Sequence, residues 1–163
     1  MSGQEGGPAV ADDAAGHVAD QVRTELTGVV GDVLTTRRAH AAYAVFARIE
    51  DAAGRGYDHD DVYRSFVGTA LVLAAAGARA AGGDGTGVVR WVRDNLGAWP
   101  SAAAARAGAA VSGGELADVQ DDLREHLLPA VLWFLAGTVA VAGAGDREWL
   151  RRATEIAEPE QVG

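Results

Sequence analysis

The chain has 163 residues, 48% of them hydrophobic and only 6% aromatic, so it suits one domain whose core is filled by Ala, Val and Leu at close backbone approach, a pattern that favours packed helices. It has no cysteine, which excludes disulfides, zinc–thiolate sites and thiol nucleophiles. All 14 basic residues are Arg against 23 acidic ones, and the net charge of -9 argues against a main role in binding nucleic acid along its backbone.

Met1 to Pro8 is Gly-rich and lacks the basic start and apolar stretch of a signal peptide, so the expected location is cytoplasmic. The expected organisation is a flexible tail over 1–12, a helical domain over 13–157 and a second flexible tail over 158–163. From Ala14 to Leu34, the residues Val18, Val22, Leu26, Val29 and Val33 recur at steps of three or four, which places them on one face of a first helix. A second helix is predicted over Arg37–Ala53, with Ala39, Tyr43, Phe46 and Ile49 on its apolar side and Gly54 and Gly56 as its stop.

Asp58 stands where an N-cap is expected, with Asp60 and Asp61 in the first turn and Tyr57 and Val62 spaced as a hydrophobic staple. The body of this third helix, Phe66 to Ala78, is apolar on every side, which predicts that other helices surround it before the Gly82–Gly87 loop. A short segment with Val88, Trp91, Val92 and Leu96 follows, with a break expected at Trp99-Pro100 and an Ala-rich helix from Ser101 to Val111. Ser112-Gly113-Gly114-Glu115 has capping-box spacing and opens a helix to about Val141, with a bend expected at Pro129. A last helix is predicted from Asp146 through Trp149, Leu150 and Ile156.

These elements make an all-α, single-domain bundle of six or seven helices, with Asp58–Ala81 and Glu115–Val141 as its buried centre. Asp60-Asp61-Val62 laid over Asp121-Asp122-Leu123 suggests an internal repeat, in which each acidic pair precedes a long apolar run and then Trp91-Val92-Arg93 or Trp149-Leu150-Arg151. A true repeat implies two similar helical halves. The uncharged run Leu127–Gly145 is long enough to span a membrane, but Pro129 and its glycines weaken insertion, and a buried core helix is the expectation.

Two polar groups are candidate metal sites. His59 and Asp60 lie among Asp58 and Asp61, and Asp122 and His126 are one helical turn apart with Asp118 and Glu125 nearby. Capping explains the first set and a solvated helix face explains the second. The His59-Asp60 dipeptide is similar to that of HD-type metal phosphohydrolases, although the remaining ligands have no assigned positions here. The stretch Ala104 to Leu116 resembles the helix-turn-helix of TetR-like repressors, but its turn is two residues longer. Its second helix also starts with the acidic Glu115-Leu116-Ala117-Asp118, where phosphates would be contacted.

No catalytic constellation emerges and no cofactor is implied. The first functional expectation is therefore a helical interaction or assembly module, a homodimer or part of a complex, seated through the Val18–Val33 stripe. Packing of that stripe on its own domain accounts for the same pattern. The alternative is a helical-bundle enzyme or a small-ligand or metal-binding protein, with a site between helices using His40, His59, Asp60 or His126. The four Trp residues read as core or inter-helix filler.

Overall fold

In the computed structural model, the described residues are 20–83, 85–113 and 116–142, and they contain α-helices, 3-10 turns and no strand. Helix α1 covers 20–36, and its Val22, Leu26, Val29 and Val33 are all buried within the chain's own core, as are Val30 and Leu34. The stripe expected to seat a partner is therefore covered from inside the domain. Val18, both predicted tails and the predicted helix from Asp146 lie outside the described residues.

Arg37 closes α1 in the left-handed region at φ 56, with its N–H donating to the Val33 carbonyl at 2.9 Å. The predicted second helix consequently begins as a 3-10 turn, Ala39–Tyr43, and becomes α2 only over Ala44–Ala53. Gly56, at φ 102, turns the chain out of α2. Helix α3 spans His59–Ala80, and the Asp58 carboxylate accepts from the N–H groups of Asp60 at 2.9 Å and Asp61 at 3.2 Å, as its cap position predicts.

Helix α4, Gly85–Leu96, and helix α5, Ala98–Val111, are joined by Gly97 alone, whose φ of 124 makes the reversal. Trp99 and Pro100 do not break a helix. They occupy the first turn of α5, where the missing proline N–H has no helical partner to lose. Helix α6, Leu116–Leu123, is followed by a 3-10 turn, Arg124–His126, and helix α7, Leu127–Ala142. The bend expected at Pro129 occurs at Arg124, which has φ 52. Because Arg124 ends α6, Pro129 falls in the first turn of α7, where its missing N–H has no helical partner to lose. Gly114 and Glu115 of the predicted capping box lie outside the described residues.

Helix α7 is the centre, with every residue from Leu127 to Val139 buried, and it packs against α3, α4 and α5. Close approach is achieved by omitting side chains. A Cβ on Gly137 would stand 2.8 Å from Val88 Cγ1 and 2.9 Å from the Val88 carbonyl oxygen, and one on Gly108 would stand 2.7 Å from the Phe134 ring. The stretch Leu116–Ala142 is long and apolar enough to cross a membrane, and 72% of its apolar window is buried inside the chain.

Helix α3 differs from expectation. Phe66, Leu73 and Ala74 are buried, but Arg64, Gly68, Val72 and Arg79 face outward, because its neighbours cover one side only. The two acidic pairs of the suspected repeat also occupy different places. Asp60-Asp61 opens the long α3, whereas Asp121-Asp122 stands near the end of the short α6.

Candidate functional site

The four residues marked as metal candidates are dispersed. His59 Nε2 meets Glu50 Oε2 at 3.0 Å on the exposed start of α3, and Asp60 lies beside it at 3.9 Å from Nδ1. Asp122 forms an ion pair with Arg106 across α6 and α5. His126 sits in the turn before α7 and bonds elsewhere. Among the described residues, no three His, Asp or Glu side chains converge to hold a metal ion.

His126 and His40 belong instead to an aromatic cluster that the sequence pattern did not assemble. The Tyr43 hydroxyl and His126 Nδ1 are 2.7 Å apart, although 83 positions separate them in the chain. The Tyr43 ring has His40 at 5.6 Å, Phe46 at 6.2 Å, His126 at 5.8 Å and Trp133 at 5.9 Å, the last two edge-on. Trp99 stands edge-on to both His126, at 5.1 Å, and Trp133, at 5.7 Å. Such edge-to-face arrangements favour the contact of a positive ring edge with a negative ring face.

Local folding explains how these groups meet. The left-handed Arg37 sends the chain into the 3-10 turn that carries His40 and Tyr43. The indole N–H of the buried Trp133 donates to the Ala39 carbonyl at 2.9 Å and so ties that turn to α7. From the other side, the left-handed Arg124 reorients the chain so that Glu125 and His126 face Tyr43.

Between them is an open cleft of about 430 Å³ lined by Tyr43, Phe46, Glu125 and His126. Desolvation pushes the Tyr43 phenol above its ordinary pKa, and the Glu125 carboxylate adds to the rise, so Tyr43 keeps its proton and donates to His126 Nδ1 in the tautomer that leaves Nδ1 bare. Glu125 Oε1 lies 3.8 Å from the other ring nitrogen, Nε2. The cleft thus offers ring surface, one carboxylate and a hydrogen-bonded tyrosine–histidine pair.

Sequence reasoning named His40 and His126 but placed Tyr43 on an apolar face and treated Trp99 and Trp133 as filler. The one signal in the letters was Trp99 next to Pro100, since a large ring in the first turn of a helix is poorly placed for burial; Trp99 is 53% exposed. No protein family, curated protein or solved structure matches this chain.

Proposed function

We propose that this chain is a helical small-ligand-binding protein whose site is the cleft between the Ala39–Tyr43 turn, α2 and the turn before α7. The observation that carries the reading is the Tyr43–His126 hydrogen bond at the wall of a ring-lined cleft of about 430 Å³. Its size lies within the range of ligand pockets, and its composition of mainly apolar surface with a few convergent polar groups is theirs as well. The burial of Val22, Leu26, Val29 and Val33 inside the domain leaves the packing of that stripe on its own core as a sufficient reason for its pattern.

A panel of amines, carboxylates and neutral aromatics, titrated into the purified chain and followed by amide and aromatic NMR shifts, tests the reading. Shifts should concentrate at Tyr43, Phe46, Glu125 and His126 and vanish in His126→Ala. A panel that leaves those four residues unmoved, or moves them equally in the variant, overturns it.

A further inference from the structure

We propose that the cleft takes an organic ammonium ion, a quaternary or methylated amine, an inference that rests on reading the cleft as a binding site. Three of its four lining side chains are rings, Tyr43, Phe46 and His126, and the fourth is the carboxylate of Glu125. No Arg lines it, in a chain whose net charge is -9. Ring faces attract a cation held within about 6 Å of their centroids, and the attraction is greatest for ions that give up water easily.

The Tyr43 and Phe46 rings are tilted by 36° with centroids 6.2 Å apart, and His126 stands at 84° to Tyr43. None of these ring pairs is stacked in parallel, and the side chains share the wall of one open cleft. Glu125 supplies the opposite charge at the rim, and its field already reaches Tyr43, whose phenol it helps keep protonated.

The alternatives fit less well. A small inorganic cation needs several oxygen or nitrogen ligands at once, and the described residues provide no such convergence. An anion would meet Glu125 and the ring faces, both repulsive to it. A neutral apolar ligand would fit the rings but leave the carboxylate without a role.

Choline and its neutral carbon analogue, in which a tert-butyl group replaces trimethylammonium, are matched in shape and separate charge from size. Titrated calorimetrically into the full chain, choline should bind roughly tenfold more tightly than the analogue. The Glu125→Gln variant, at a side chain 84% exposed and so harmless to the fold, should narrow that ratio several-fold. Phe46→Leu should weaken choline more than the analogue.

Equal binding of both compounds at the cleft overturns the ammonium assignment while leaving the cleft a binding site. Binding of neither compound overturns the assignment too; if the wider ligand panel is also silent, the binding-site reading falls with it. Preference for choline that persists unchanged in both variants places the site elsewhere and overturns the proposal.

Discussion

Gly137 and Gly68 both lie inside helices, yet an added methyl group would meet different surroundings. At Gly137 it would press on the Val88 carbonyl oxygen, which is backbone and cannot swing away, whereas at Gly68 nothing lies within 4 Å. Gly137→Ala should therefore destabilise the fold by about 1–3 kcal/mol, and Gly68→Ala should stabilise it by up to about 1 kcal/mol through helix propensity. Urea denaturation of the two variants checks the opposite signs; two losses of similar size would contradict the packing at α4 and α7. A second residue-scale expectation concerns Tyr43 and Tyr63, whose phenols burial holds above their ordinary pKa, with Glu125 adding to the rise at Tyr43. The folded chain retains protons that the unfolded chain would release, so this contribution to stability is complete below the ordinary phenol pKa. It is lost as pH climbs through the raised folded values. Near-ultraviolet titration should show two late-ionising phenols, one of which disappears in Tyr43→Phe.

Helices were legible wherever spacing and caps agreed. Asp58 with Asp60 and Asp61 marked the start of α3, and the stripe of α1 marked its buried face. Asp58→Ala should destabilise by about 1 kcal/mol, while Leu73→Ala in α3 and Leu132→Ala in α7, both fully buried, should each destabilise by about 2–5 kcal/mol. Thermal or chemical melts that change by less than about 0.5 kcal/mol at both leucines would contradict their placement. Prolines were harder to read. A proline ends a helix, begins one or displaces a bend upstream, and the choice at Pro100 and Pro129 depends on Gly97 and Arg124 taking left-handed conformations. Nothing in an arginine codon announces such a conformation. The site was half legible for a related reason: His126 and His40 stood out as rare ionisable groups, but their meeting with Tyr43 and Trp99 is created by the left-handed turns at Arg37 and Arg124 and by the Trp133 tie to Ala39. Residue periodicity reports which face of a helix is apolar, and it carries no information on which distant turn will lie against it.

At the scale of the whole molecule, the described residues expose few large apolar side chains. Tyr57 is 46% exposed, Val72 47% and Trp99 53%, and they lie just before α3, in its middle and at the start of α5. Scattered exposure of this kind is ordinary for a monomer, and a stable dimer generally needs a contiguous apolar patch. A ligand-binding monomer, the reading proposed above, should sediment at micromolar concentration as a 16.7 kDa species in both low and molar salt. A species of twice that mass would show self-association through a surface other than the buried face of α1.

The position of α7 in the chain has a consequence for synthesis. The helices that pack on it, α3, α4 and α5, all precede it, so they leave the ribosome with Leu73, Val88 and Ala104 facing water until Leu127–Val139 follows. A nascent chain stalled ahead of Leu127 has helices but nothing for them to surround, and it exposes the kind of apolar surface that chaperones bind and that aggregates share. Closure of this core therefore waits on the synthesis of α7, however fast the earlier helices form.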